Sequence, residues 1–327
     1  MRFSRGLLWI AGIVAVAGPS SSADEPALPD DHIRVVSWNI SGDAFVSEPG
    51  AFRSLLLWAD PDVVLLDEVD PAATTEALTN ALATIEREDE HSWNVDVGAS
   101  GGRQRCVIAS RAPLQAVPEL ASVMPYPEAD KRRILESMSE ADRANPSWSM
   151  EHGIPVNGAV VQTGDRRLLV VVADLQCCGD GPESWQEFRR RVEAREIRRR
   201  IRQFLEQNPV DGVVYAGDFN LVNSTFPMAL LAGPYPQPHS GLIPAELYHS
   251  DGSTTWTWDG RRTPFPSNTL DYQLYGPNGL EMRSGLILDS EGISSELRGK
   301  LRLDIDSSQR TGRHRPLVVE YRWIGRE

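Results

Sequence analysis

The stretch VVYAGDFN, Val213 to Asn220, holds four apolar residues, then a glycine, then Asp218 and Asn220 two positions apart. A short β-branched run bounded by turn formers predicts a strand buried on both faces. Here the strand ends on a carboxylate and an amide. The same pattern recurs along the chain. Ile33 to Trp38 ends at Asn39, and Val63 to Leu66 leads into Asp67 and Glu68. Leu168 to Ala173 ends at Asp174, Thr269 and Leu270 lead into Asp271 and Tyr272 to Tyr275, and His314 stands just ahead of Pro316 to Val319. Polar atoms at the ends of buried strands are unfavourable unless they meet at a ligand site. Repeated strand ends of this kind therefore predict one shared cleft.

The residue types in that cleft specify a chemistry. Glu68, Asp218, Asn220 and Asn39 form an all-oxygen set, which suits Mg²⁺ or Mn²⁺, ions held by one or two protein carboxylates and several waters. His314 adds an imidazole able to donate to a phosphoryl oxygen or carry a proton near neutral pH, and Asp271 can orient a neighbouring histidine or activate a water. The set matches metal-assisted phosphoester hydrolysis, in which a cation neutralises developing charge and a base generates hydroxide.

These segments, in the order VVSWNI, PDVVLLDEV, VVVADLQ, VVYAGDFN, LDYQLY and RHRPLVV, resemble the endonuclease/exonuclease/phosphatase superfamily over almost the whole chain. That superfamily includes pancreatic-type deoxyribonucleases, abasic-site endonucleases, secreted sphingomyelinases and inositol-polyphosphate phosphatases. The resemblance implies an α/β four-layer sandwich, two mostly antiparallel sheets flanked by helices. It also implies that Glu68, assisted by Asn39, is the metal ligand and that Asp218 activates or positions the attacking water. By the same resemblance Asn220 orients phosphate, His314 contacts the scissile phosphate and Asp271 supports the network.

Two positions depart from the family pattern. A strand-end histidine is replaced by Asp174, and the aspartate just before the final histidine is replaced by Arg313. The first change removes a donor and adds repulsion, whereas the second adds a bidentate phosphate donor. Opposite changes of sign in one cleft predict a charge-exchanged Asp174–Arg313 pair. They also motivate an alternative function, a catalytically impaired member that binds phosphorylated ligands. A structural or adhesive module is the third class, and it would leave the oxygen-bearing residues unconverged.

Composition frames these expectations. The 327 residues are 41% hydrophobic with nine tryptophans, which excludes a disordered chain. The net charge of −13 argues against a nucleic-acid coat or membrane-surface binder, and no apolar run is long enough to span a bilayer. Arg2 and Arg5, the apolar run Leu7 to Ala17 and the small residues Ser20 to Ala23 have the pattern of a signal peptide, residues 1–23, with a single domain over residues 24–327. The expectation is a secreted or periplasmic monomer acting on a nucleic acid, phospholipid head group or small phosphoester.

Other features carry open alternatives. Cys106 could bridge to Cys177 or Cys178, those two could pair with each other, or all three could be thiols. Glu183 to Glu206 has helical spacing of apolar residues, and its arginine-rich face reads as solvated and partly neutralised by Glu187, Glu193 and Glu196. Arg103, Arg105 and Arg111 form a candidate basic patch or an exposed strand edge. Trp256 and Trp258 are core aromatics or flank a substrate, and Glu119 to Gly153 reads as an insertion.

Overall fold

The computed structural model describes residues 31–85 and 92–325, so the signal-peptide reading of residues 1–23 lies outside the described residues. Twelve strands follow along the described chain. They are β1 (His32–Gly42), β2 (Val63–Val69), β3 (Asn94–Val97), β4 (Arg105–Ser110), β5 (Leu114–Ala116), β6 (Val156–Thr163), β7 (Arg166–Ala173), β8 (Gly212–Asp218), β9 (Ile243–Pro244), β10 (Asp271–Tyr275), β11 (Leu280–Ile287) and β12 (Leu317–Trp323). They form two six-stranded sheets, ordered β11-β12-β1-β2-β4-β3 and β5-β6-β7-β8-β10-β9. Each sheet carries one parallel pair at its centre, β1 with β2 and β7 with β8, and the other ladders are antiparallel. This is the expected sandwich, helices outside and two sheets within.

The period-2 alternation of each strand divides the core into layers. Val35, Val63, Leu65, Val170, Val172, Val214 and Ala216 interlock between the sheets. Their neighbours Val36, Val64 and Leu66 pack outward beneath the helix Pro49–Ala59, where Trp38 stacks on Phe52 with ring centroids 5.3 Å apart. A buried polar side chain ties the two sheets together at the centre. Gln273 on β10 donates to the Leu317 carbonyl at 3.0 Å and to Ser37 Oγ at 3.2 Å on the facing sheet, and its oxygen accepts from Tyr321 at 3.1 Å. Both ends of the amide are satisfied, so it joins the two sheets at a fixed register.

The topology places the chemistry-bearing strand ends at one rim. Parallel pairing aligns the carboxyl ends of β1 with β2 and of β7 with β8, and β10 and β12, running antiparallel, begin where those end. Gly217 makes the closest approach possible. Its φ is +129°, and a Cβ there would sit 2.0 Å from the Ala173 carbonyl oxygen. No other residue fits, which is the physical content of the glycine in GDFN.

The long arginine-rich helix, Trp185–Gln207, departs from expectation on one point. Glu187, Glu193 and Arg190 are fully buried and Arg189 nearly so, rather than solvated. Arg189 and Arg190 pair with Glu193 and Glu187, each at 2.9 Å. The loop carbonyls of Gln176 and Cys178 and the Ser224 hydroxyl close over Arg190 and Glu187, and the 119–153 segment folds into short helices that cover Arg189 and Glu193. From it Tyr126 bonds Glu193, Asp130 pairs with Arg195, and Trp148 meets Trp185 edge-on. Arg111 is likewise no patch residue; its side chain is 6% exposed, lies over Trp93 and donates to the Pro61 carbonyl. The three cysteines are thiols. Cys106 is buried in the inter-sheet core, while Cys177 and Cys178 hold their sulfurs 2.8 Å apart on the loop after Asp174. Among the described residues, no helix is long and apolar enough to cross a membrane.

Candidate active site

Six strand-end residues meet at the rim. Asn39 and Glu68 come from the first sheet, Asp174, Asp218 and Asp271 from the second, and His314 from the lead into β12. Register accounts for the closest of these approaches. Asp218 and Asp271 are directly opposed across the β8–β10 ladder, and His314 is bridged to Trp258. The Trp38 indole donates to the His314 carbonyl at 3.3 Å, anchoring that segment on the first sheet.

The central contact is between Asp271 and His314. The Asp271 carboxylate meets His314 Nδ1 at 2.9 Å, and Thr257 donates to the same carboxylate oxygen at 2.6 Å. This leaves His314 Nε2 facing Asp218, 3.8 Å away. Burial alone would lower the imidazole, but the charges of Asp271, Asp218 and Glu68 outweigh it and raise His314 to about 10. Near neutral pH the ring is therefore a cation with Nε2–H pointing into the site. Asp218 moves the other way from an ordinary carboxylate: burial and the neighbouring Asp271 raise it to about 7, against the opposing pull of His314. The Asn220 backbone N–H donates to Asp218 at 2.8 Å and the Asn39 amide at 3.4 Å, fixing the carboxylate's direction.

Asp174 is held within the same network. It accepts from the Asn220 amide at 3.0 Å and from Gln104, while Leu175 N–H donates to the Asp218 carbonyl at 2.9 Å. The amide of Asn220 thus faces Asp174, the residue that departs from the expected histidine. The expected Asp174–Arg313 pair does not form. Arg313 turns away and donates through Nη1 to the carbonyls of Asp259 (3.2 Å) and Arg261 (3.4 Å). The reason is local, because Asp259 N–H bonds the Arg313 carbonyl at 2.7 Å and brings the arginine back over its own turn.

Glu68 lines the open part of the site, a cleft of ≈ 640 Å³ that also includes Ser41, Trp258, Arg262, Arg313 and His314. Glu68 and Asn220 both adopt left-handed backbone, each with φ +50°. Such strain is held only where surrounding structure over-determines it, and it clusters at functional sites.

Sequence reading passed over Asp67 as a neighbour of Glu68. It is fully buried, and neither carboxylate oxygen has a hydrogen-bond partner. Burial, followed by the charges of Asp271, Asp218 and Glu68, pushes its carboxyl well above the usual range. Thr257 and Gln104 were also unmarked, since nothing local in the sequence announces a residue that braces another. Trp256 is braced by Arg261 and Arg315, 5.4 and 5.2 Å from its ring, whereas Trp258 faces the cleft.

The charge count at the rim bears directly on a metal. Asp67, Glu68, Asp174 and Asp218 crowd together, and among the described residues the one basic group in close contact with the cluster, His314, is already matched by Asp271. Among the described residues, Asp218, Asp271 and His314 bring one donor atom each within 4.8 Å of one another. Carboxylates in excess, one of them buried and unpartnered, fit a hard divalent cation, which supplies the missing positive charge.

The comparisons agree with this fold. No functionally curated protein matches the chain by sequence. The chain is similar in fold to the human Nocturnin catalytic domain with bound sulfate (17% identity, TM-score 0.55, covering 91% of this chain and 95% of that one). It is similar to truncated Caenorhabditis elegans TDP2 (15%, TM-score 0.53, 90% and 100% covered). An endonuclease/exonuclease/phosphatase from Beutenbergia cavernae is alike at 16% identity and TM-score 0.53, over 90% of this chain and 72% of that one. The family model described as endonuclease/exonuclease/phosphatase matches residues 36–299, most of the chain, and the chain therefore belongs to that family of phosphoester hydrolases.

Proposed function

We propose that the protein is a secreted phosphoester hydrolase of a single domain, using Mg²⁺ or Mn²⁺ and acting as a phosphodiesterase or phosphatase. The observation that carries this reading is the Asp271–His314 dyad presenting Nε2 toward Asp218 inside a carboxylate-rich cleft. Export rests on the sequence pattern of residues 1–23.

Glu68 and Asn39 would hold the cation, beside Asp218. When bound, the ion supplies Lewis-acid charge neutralisation and lowers the pKa of water. The remaining work falls to the chain's own groups. Asp218, raised to about 7, accepts the proton of the attacking water at its carboxylate oxygen. His314 donates Nε2–H to a non-bridging phosphoryl oxygen and remains protonated, because Asp271 holds Nδ1–H on the other side. Asn220 aligns the Asp218 carboxylate through its backbone N–H and keeps Asp174 from turning toward the phosphate.

Hydrolysis of bis-p-nitrophenyl phosphate with Mg²⁺ or Mn²⁺ tests the reading directly. Turnover should require the metal, and Asp218→Asn should lower kcat by about 10³-fold, within the range for a general base. No turnover with any divalent metal, alongside retained binding of phosphate esters, would instead identify an impaired, ligand-binding member of the family.

A further inference from the structure

Two cysteines stand side by side on the loop that leads away from Asp174, and the proposed hydrolysis uses neither. Cys178 is exposed, Cys177 beside it is half-buried, and their sulfurs are 2.8 Å apart. A bonded pair sits about 2.05 Å apart, so less than about 1 Å of movement separates this dithiol from a disulfide. Cys178 already has left-handed backbone, with φ +70°, so the chain turns sharply at the pair. Cys106, the third thiol, is sealed in the inter-sheet core and out of reach of an outside reagent.

The segment from Asp174 to Cys178 is fastened at every residue. The Asn220 amide donates to Asp174 at 3.0 Å and to the Leu175 carbonyl at 2.9 Å. Gln176 N–H donates to Glu193 at 2.7 Å, and its side-chain amide donates to the Cys177 carbonyl at 3.0 Å. Arg190 Nη1 donates to the carbonyls of Gln176 and Cys178, at 2.7 and 2.8 Å. Consecutive Cα atoms lie only about 3.8 Å apart, short of the roughly 4.4–6.8 Å that an ordinary disulfide spans. A bond between neighbours is therefore strained and easily reduced, and it requires the Cys177–Cys178 peptide to turn. Such a turn cannot stay local. It pulls on the carbonyl held by Arg190 and, along the fastened segment, on the Asn220 amide at the rim.

We infer that Cys177 and Cys178 form a reversible redox site that reacts with small-molecule disulfides and, on closing, shifts the Asp174–Asn220 contact. Cys178 is the attacking group. Contact with Cys177, aided by Arg190 and opposed by partial burial, lowers its thiol to about 7. Its thiolate attacks one sulfur of glutathione disulfide, forms a mixed disulfide and releases one glutathione. The Cys177 sulfur then displaces the second glutathione from the Cys178 sulfur. Two protein thiols are oxidised, one disulfide is reduced, and the two cysteine protons end on the two glutathione thiols. The effect on turnover rests on the phosphoester reading above; the redox site itself does not.

The test equilibrates the protein with graded ratios of glutathione and glutathione disulfide, quenches with acid, unfolds it and labels free thiols with iodoacetamide. With three cysteines in the chain, the reduced form should take up three labels and the oxidised form one, at Cys106. Both losses should map to the peptide holding Cys177 and Cys178, and dithiothreitol should restore them. Cys177→Ser should stop halfway, with glutathione retained on Cys178. Three labels at every ratio, or native protein that stops at the mixed disulfide, overturns the redox site. In amide NMR spectra of the metal-free protein, the Asn220 side-chain signal should shift on oxidation. Turnover of bis-p-nitrophenyl phosphate should fall several-fold in the native protein and stay level in a variant combining Cys177→Ser with Cys178→Ser. An unmoved Asn220 signal overturns the coupling to the rim. A shifted signal with no turnover in either redox state keeps the inference and removes the hydrolase.

Discussion

Two buried clusters of charge lie a few residues apart in this protein and are built on opposite rules. On the helix Trp185–Gln207, Glu187 accepts from Arg190, Arg191 and Ser224, and Glu193 accepts from Arg189, Tyr126 and the Gln176 backbone N–H. Every acid there has a base, and among the described residues of this helix only one nitrogen each of Arg190 and Arg200 is buried without a partner. At the rim, Asp67 has no partner, Asp174 and Asp218 are met chiefly by amides, and a single imidazole faces the whole set. A matched network is structure; an unmatched one is waiting for something charged. The strand-end loop joins them physically, since Arg190 donates to the carbonyls of Gln176 and Cys178, directly after Asp174.

Removing one acid from each cluster should therefore have opposite effects. Glu193→Ala leaves Arg189 buried without its carboxylate and should lower unfolding free energy by about 3–5 kcal/mol in urea titrations. If that loss is under about 1 kcal/mol, the helix cluster is not the matched network described. Asp67→Asn should do the reverse. Removing the cost of burying an ionisable carboxyl, together with the repulsion at the rim, should stabilise the metal-free protein by about 1–2 kcal/mol at pH 8 in EDTA, and the gain should shrink when saturating Mg²⁺ is present. A destabilised Asp67→Asn protein would show that the carboxylate is neutralised by something other than a cation.

The smallest effect probes the loop between the clusters. Cys178 is exposed, and the contact from Cys177, aided by Arg190 and opposed by partial burial, lowers its thiol to about 7. Thiolate forms above that value and is lost as pH falls through it, so iodoacetamide labelling should rise through a midpoint near pH 7. In Cys177→Ala the midpoint should move up toward the ordinary thiol value, slowing labelling at pH 7 by several-fold. An unchanged midpoint would assign the lowering to Arg190 and the helix cluster instead.

How much of this was legible in the sequence follows from the same contrast. Strand ends announce themselves, because a β-branched run that stops at Asp, Glu, Asn or His needs a reason in the chain itself; Asn39, Glu68, Asp218, Asp271 and His314 were found this way. The direction of a side chain does not announce itself. Arg313 and Asp174 have the composition of a pair, yet one hydrogen bond from Asp259 to the Arg313 carbonyl turns the arginine elsewhere. Glu–Arg spacings of three and four residues look identical on a solvated helix and a buried one, and only the elements packed over them, the 119–153 helices, the loop after Asp174 and Ser224, decide which it is. Asp67 was masked by adjacency, since nothing in DE shows that one oxygen pair has partners and the other has none.

The bridge made by Gln273 carries a consequence for how the proposed activity would fail. On the proposed reading, catalysis would need Asn39, Glu68 and His314 from one layer in line with Asp174, Asp218 and Asp271 from the other. A slip of the layers by a fraction of a strand spacing would part Asp271 from His314 while both hydrophobic halves remained folded. Activity is thus a vernier for the alignment of the two layers: gentle denaturant should silence turnover before circular dichroism registers any loss of structure.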